Sequence, residues 1–345
     1  MGCCAAEVTN FKLNTGKEIP AIALGTYLGF DQNLRDVVQQ AIDVGYRHFD
    51  TAAIYETEDE VGEAVRMKIG EGAVRREDVF ITTKLWNNRH KREEVTEALR
   101  ESLQKMGLNY IDLYLMHWPI GLNKYFCQSQ NPHINTGCIY LLRYFQDDYT
   151  YNNVDYMETW RGLEDVQKLG LAKAIGLSNF NKEQLRRVIE EGSIKPAALQ
   201  IEVHPQIIQS ELVDYAQSEG LVVMAYSPFG SLVSRYGKQF PGPKMDDPVL
   251  SEIARQYRKS TPQVVLRWLV DRNIVPIPKT VNYSRLKQNI DIFDFQLNKE
   301  EIEEINKFDT HTRYTLPSFW QNHPYYPFEK VLGTIDDPFV KTAVE

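Results

Sequence analysis

The sequence predicts an α/β protein built as a (β/α)8 TIM barrel, and three observations carry that prediction. Short apolar segments alternate with amphipathic ones eight times along the chain. The apolar segments are rich in Val, Ile and Leu, as parallel strands buried on both faces must be. No G-x-G-x-x-G follows any of them, although that motif marks the competing open, doubly wound sheet. Alternation implies a parallel sheet, and eight repeats allow it to close.

The elements follow in order. An N-terminal β-hairpin is expected over 11–20, with Asn14-Thr15-Gly16 as its turn and Pro20 ending the pairing. Strands are expected over 21–25, 48–52, 79–85, 111–117, 172–178, 199–204, 222–226 and 274–279. The helices that follow them are expected over 34–44, 58–67, 93–106, 156–169, 182–189, 211–218, the pair 249–257 and 262–271, and 285–293. Val95, Leu99, Leu103 and Met106 show the three-and-four spacing of a buried helix face. Gly45, Gly70, Gly107, Gly170, Gly192 and Gly220 fall at helix ends, where a left-handed cap favours glycine. Residues 1–10 read as a disordered leader, 11–330 as the barrel and 331–345 as a C-terminal tail. Two segments break the rhythm. One is a long loop after strand 4, over 121–153. The other begins beyond Phe308 and carries Tyr314, Phe319, Trp320, Tyr325, Tyr326 and Phe328. Its aromatics predict a C-terminal loop packed over the active site.

Composition narrows the function. The 345 residues are 43% hydrophobic and 25% charged, a globular balance. A net charge of -8 argues against a nucleic-acid partner. No apolar run reaches 18 residues, so no membrane span is expected. Cys3, Cys4, Cys127 and Cys138 form neither a disulfide framework nor a zinc spacing, which predicts a reducing, cytoplasmic setting and no metal. Met1-Gly2-Cys3-Cys4 has the outline of an acylation site, but Ala6 stands where Ser or Thr is usual.

Loops after barrel strands build active sites. Strand 2 ends in His48-Phe49-Asp50-Thr51-Ala52 with Tyr55 beyond, strand 3 in Thr83-Lys84-Leu85-Trp86, and strand 4 in Met116-His117-Trp118-Pro119. Asp50, Tyr55, Lys84 and His117 are therefore expected at one end of the barrel. A phenol ordinarily titrates too high to donate a proton at neutral pH. An ammonium beside it favours the phenolate. In this reading Lys84 activates Tyr55, Asp50 keeps Lys84 charged and aimed, and His117 orients a carbonyl oxygen. The result is a general-acid site for carbonyl reduction.

Five segments then resemble the aldo-keto reductase family: Gly45-Tyr46-Arg47-His48-Phe49-Asp50-Thr51-Ala52, Thr83-Lys84-Leu85-Trp86, His117-Trp118-Pro119, Gly176-Leu177-Ser178-Asn179-Phe180 and Ile277-Pro278-Lys279-Thr280. The resemblance covers roughly Phe11 to Phe328 and implies that Asp50, Tyr55, Lys84 and His117 are an intact catalytic tetrad. It implies NADPH as cofactor. Tyr226 would stack under the nicotinamide, and Ser178, Asn179 and Gln200 would bind its carboxamide. Thr26 and Asp50 would also contact the cofactor, and Ser227 and Phe229 would line the pyrophosphate path. Lys279, Thr280 and Arg285 would grip the 2′-phosphate, with Gln288 and Asn289 near the adenine. Tyr27, Ile54, Trp86, His117 and Trp118 would face a small-molecule carbonyl substrate. Tyr27 stands where many relatives carry tryptophan. His117, rather than glutamate, argues against reduction of a steroid ring double bond.

Gly25-Thr26-Tyr27-Leu28-Gly29 and Trp160-Arg161-Gly162-Leu163-Glu164 are similar to insect reductases, including those acting on 3-dehydroecdysone. An ecdysteroid ketone or a lipid or aromatic aldehyde is the expected substrate, and a monomer the expected state. Residues 126–145 read as an insertion relative to that family: a pocket flap, an interaction segment or, as preferred here, a gene-model artefact. The alternative function is a catalytically weak, NADPH-binding interaction protein on the same fold.

Overall fold

The computed structural model describes residues 8–27, 34–123, 151–234 and 240–330. The four cysteines, the 126–145 insertion, most of the leader and the 331–345 tail lie outside the described residues.

The hairpin pairs β1 (Asn10–Lys12) with β2 (Glu18–Pro20), Asn10 opposite Pro20 and Lys12 opposite Glu18. Eight parallel strands follow: β3 (Leu24–Gly25), β4 (His48–Asp50), β5 (Phe80–Leu85), β6 (Ile111–Met116), β7 (Ala172–Ser178), β8 (Ala198–Glu202), β9 (Val222–Tyr226) and β10 (Ile274–Ile277). They form one sheet in chain order, from β3 to β10. Its two ends meet, because the amides of Ala23 and Gly25 donate to the carbonyls of Pro276 and Pro278 (both 3.0 Å). Pro276 and Pro278 have no N–H to return, so this seam carries fewer bonds than an ordinary ladder.

The helices are α1 (Leu34–Asp43), α2 (Glu58–Gly70), α3 (Arg92–Met106), α4 (Tyr156–Lys168), α5 (Lys182–Glu191), α6 (Ser210–Ser218), α7 (Pro248–Tyr257), α8 (Thr261–Asp271), α9 (Tyr283–Ile290) and α10 (Lys299–Asn306). The expected strand–helix alternation is present throughout. Several strands are shorter than expected, and the ends of β8 and β10 show why. After β8, Val203-His204-Pro205 enters a turn in which His204 and Ile207 bond each other. After β10, Pro278 offers no donor. Helix α10 was not expected from the sequence, yet its signal is present: Asn298 caps the amide of Glu301, whose side chain reaches back to Asn298.

The described residues group into two compact units. The first holds the hairpin, β3, β4, β8–β10 and their helices, including the fully buried Trp268. The second holds β5–β7, α3–α5 and the residues from Thr315 onward. In it Trp160 is buried and donates from Nε1 to the Ile194 carbonyl (3.2 Å), while Glu164 accepts the amides of Ser193 and Ile194 (2.6 and 3.0 Å). The Trp160–Glu164 motif therefore fastens α4 to the chain after α5.

The glycine caps are found in part. Gly107 ends α3 at φ 65, whereas Gly192 has φ -77 and is no left-handed cap. A Cβ at Gly192 would lie 2.6 Å from Trp160 Nε1, so close packing is the reason for glycine there. Gly70 is likewise absent from the positive-φ residues.

Gly62, inside α2, is set by contact as well. A Cβ there would overlap the carbonyl, Cα and C atoms of Met106, the last residue of α3. Backbone cannot rotate away as a side chain can. Helix propensity alone predicts that Gly62→Ala stabilises by about 1 kcal/mol. The contact predicts the opposite sign, a loss of about 1–3 kcal/mol, and urea denaturation of the two proteins distinguishes them.

Candidate active site

The second unit holds Tyr55, Lys84 and His117, three of the expected site residues. Strand β5 is buried on both faces, and its alternation sends Thr83 and Lys84 in opposite directions. Thr83 donates to Glu58 at the start of α2 (2.7 Å). Burial raises the Glu58 carboxyl above its ordinary range, against the hydrogen bonds of Thr83 and Ser102. Lys84 is 0% exposed. Its Nζ donates to the Thr51 carbonyl (3.0 Å) and lies 3.5 Å from the Tyr55 hydroxyl.

A short 3-10 turn over Ala53–Tyr55 delivers Tyr55. Its start is fixed by the Thr51 amide bonding the Thr82 carbonyl (2.9 Å) and by the Thr51–Thr57 hydroxyl pair (3.1 Å). Tyr55 is half-buried, and its ring meets the edge of His117 at 5.7 Å between centroids. Burial, helped by the Lys84 charge, pushes the His117 imidazole well below its usual range. The ring is therefore neutral at neutral pH and carries one N–H. The Asn179 amide donates to the His117 carbonyl (3.0 Å) and to the Ser178 hydroxyl (3.2 Å).

An apolar wall adjoins these groups. Ala52, Ile54, Trp86, Trp118, Ile120, Leu122, Trp320 and Tyr326 form one buried cluster, with Tyr55, Tyr151, Phe319 and Phe328 against it. Trp320 packs on both Trp86 and Trp118 (6.1 and 5.4 Å between centroids). Ile54, Trp86 and Trp118 were expected here. Trp320, Tyr326, Phe319 and Phe328 belong to the C-terminal loop expected over the active site, although sequence spacing alone does not show which of its aromatics dock here. That loop is tied down by bonds from Gln184 to the Tyr325 carbonyl (2.9 Å) and from Tyr151 to the Phe319 carbonyl (3.0 Å). The stems of the long loop also meet, Leu122 bridging Tyr151.

The first unit holds Asp50 and most of the expected cofactor residues. Asp50 ends β4, buried, and accepts a hydrogen bond from the Gln200 amide (2.7 Å), while Thr26 donates to the Asp50 carbonyl (3.0 Å). Tyr27 is half-buried. Tyr226 ends β9, half-exposed, and Ser227 follows with φ 57. Phe229 is also half-buried. Beyond β10, exposed Lys279 and buried Thr280 lead into α9, which carries exposed Arg285 and Gln288 and buried Asn289. Asn282 caps the Arg285 amide (3.1 Å), and Thr280 accepts the amide of Asn282 (3.1 Å). Two cations at a helix N-terminus suit a phosphate. Among the described residues no cluster of His, Cys, Asp or Glu could hold a metal ion.

The aldo/keto reductase family model matches residues 21–310. The chain belongs to the aldo/keto reductase family. It is 45% identical over 329 residues to aldo-keto reductase AKR2E4 of Bombyx mori, covering 94% of this chain and 99% of that one. The crystal structure of that enzyme in complex with NADP superposes with a TM-score of 0.85 at 44% identity, covering 94% and 100% of the two chains. The silkworm reductase AKR2E5, complexed with NADPH, matches with a TM-score of 0.85 at 44% identity, over 97% and 98%. The fold of this family member is the (β/α)8 barrel expected from its sequence. No described helix is long and apolar enough to cross a membrane.

Buried neutral histidines set an acid limit on stability. His90 is fully buried, and burial pushes it down to about 3. Its folded value lies below the unfolded one, so its contribution is complete above the unfolded value and is lost as pH falls. The same sign holds for His117. Each histidine is expected to cost up to about 1.4 kcal/mol per pH unit below roughly pH 6.5. Urea denaturation at about pH 7 and about pH 5.5 measures this loss, and His90→Leu is expected to flatten it.

Proposed function

We propose that this aldo/keto reductase reduces aldehydes and ketones to alcohols with NADPH, with Tyr55 as the general acid. The observation that carries this reading is the buried Lys84 ammonium 3.5 Å from the Tyr55 hydroxyl, beside the neutral ring of His117. When the phenol gives its proton to a carbonyl oxygen, the ammonium stabilises the charge left on the phenol oxygen. The single N–H of His117 orients that carbonyl oxygen. Asp50 is assigned to the same tetrad by the family resemblance.

Bound NADPH supplies the hydride. Tyr226, half-exposed at its strand end, offers a flat face for the nicotinamide ring. Ser178, Asn179 and Gln200 are assigned to its carboxamide, Thr26 and Asp50 to neighbouring contacts, and Ser227 and Phe229 to the pyrophosphate. Lys279, Thr280 and Arg285, at the start of α9, are assigned to the 2′-phosphate, with Gln288 and Asn289 at the adenine. The two cations favour NADPH over NADH, which lacks that phosphate.

The wall of Ile54, Trp86, Trp118 and Trp320 favours a carbonyl on an aromatic, aliphatic or steroid frame. The ketosteroid 3-dehydroecdysone belongs in that class, and Tyr27 is assigned to the same substrate face.

Tyr55→Phe is expected to lower kcat by roughly a hundred- to ten-thousandfold with NADPH binding retained. NADPH consumption with a simple aldehyde and with 3-dehydroecdysone measures it, and full activity of the variant would sink the mechanism. NADPH binding without turnover across a panel of carbonyls would favour an interaction protein instead. Replacing Lys279 and Arg285 by alanine is expected to weaken NADPH by roughly ten- to a hundredfold, with NADH little changed. Fluorescence titration with both cofactors reads that difference.

A further inference from the structure

A buried cluster in the first unit, centred on Gln206, takes no part in the chemistry above. Gln206 lies in the turn closed by His204 and Ile207. Its Oε1 accepts the Ser231 amide (3.2 Å), and its Nε2 donates to the Pro241 carbonyl (2.7 Å) and the Tyr314 hydroxyl (2.6 Å). The Tyr314 hydroxyl donates in turn to the Pro241 carbonyl (3.0 Å). The Gln206 amide donates to His204 Nδ1 (3.2 Å), which leaves the ring proton on Nε2, facing Glu202 (3.0 Å). Glu202 also accepts the Tyr314 amide (2.9 Å), and the His204 ring stacks on Tyr314. Glu202, His204, Gln206, Ser231 and Tyr314 are all buried.

The neighbouring backbone is shaped around this one amide. A Cβ at Gly230 would lie 2.5 Å from Gln206 Oε1, and one at Gly242 would overlap Nε2. Both glycines have positive φ, 52 and 120. The Ser231 hydroxyl closes the same knot by donating to the Pro243 carbonyl (2.7 Å).

What Gln206 grips is the chain leaving β9. The Gly230 amide bonds the Ser227 carbonyl, and the Leu232 amide bonds the Phe229 carbonyl (both 3.0 Å). Ser227 itself is left-handed, which a residue other than glycine keeps only where its surroundings fix it. Tyr226, Ser227 and Phe229 are the residues assigned above to the nicotinamide and pyrophosphate.

We propose that Gln206 is a positioning residue for the cofactor: by clamping Ser231 and Pro241 it holds Tyr226–Phe229 in the conformation that NADPH meets. This inference rests on the NADPH reading above. It assigns Gln206 and Tyr314 a share of cofactor affinity without contact to substrate.

Gln206→Leu is expected to raise the NADPH Kd about tenfold, with KM for NADPH rising in step. KM for the carbonyl and the single-turnover rate at saturating NADPH stay within about twofold. Tyr314→Phe, which keeps the stacked ring and loses one hydroxyl, is expected to raise the Kd about threefold, and it decides the matter if Gln206→Leu does not fold. Thr159→Ala is the control. It removes a buried hydrogen bond to the His90 carbonyl (2.6 Å) in the second unit, and it is expected to lower the melting temperature and leave the NADPH Kd unchanged. Wild-type affinity in Tyr314→Phe and in any Gln206→Leu that folds overturns the proposal, and so does equal loosening in Thr159→Ala. A wild-type protein that binds no NADPH overturns the cofactor reading itself, before any variant is compared.

Discussion

The ammonium of Lys84 is fully buried, and the geometry around Tyr55 follows from that. Moving a cation out of solvent costs several kcal/mol unless oxygens replace the water. Two that do so are the Thr51 carbonyl and the Tyr55 hydroxyl. Each then has to be held. Thr51 is fixed by its bond to Thr82, two residues before Lys84 on β5, and Tyr55 by the turn that starts at Ala52. One strand residue thus sets its own environment through its strand and a short turn. The same charge helps keep His117 neutral, so cation, phenol and imidazole are electrostatically one system.

Much of this was legible in the sequence, for a physical reason. Strand ends in a (β/α)8 barrel share one face, so reading residue types at the ends of β4, β5 and β6 amounts to reading one surface. Lys84 and His117 are read that way, and both lie beside Tyr55. Gln206 is not read so, because a glutamine after His-Pro looks like any loop polar residue. Its importance lies in Gly230, Gly242, Pro241 and Tyr314, which come from distant sequence. Gly62 was missed for the same reason: its partner is the backbone of Met106, and no local pattern reports that contact. Helix α10 differs in kind, since Asn298 and Glu301 announced it and the regular repeat simply ended earlier.

A shared motif can also speak of fold where it was read for function. Trp160-Arg161-Gly162-Leu163-Glu164 resembles insect reductases. Its tryptophan and glutamate are spent on the chain at Ser193 and Ile194, and a Cβ at Gly162 would meet Val95. Similarity there follows the packing of α3, α4 and α5. The apolar wall is the more informative surface, and four of its aromatics, Phe319, Trp320, Tyr326 and Phe328, come from a C-terminal segment whose docking depends on Gln184 and Tyr151.

The bridge between Leu122 and Tyr151 separates two things that usually travel together. Closing a loop costs entropy that grows only slowly with its length, and here the ends are already joined. Leu122 belongs to the wall, and Tyr151 bonds the C-terminal segment that supplies Trp320. Lengthening, shortening or exchanging the chain between these two residues need not alter either role. The pair is a natural graft point, at which the chain between them can be exchanged while the same inner wall is inherited.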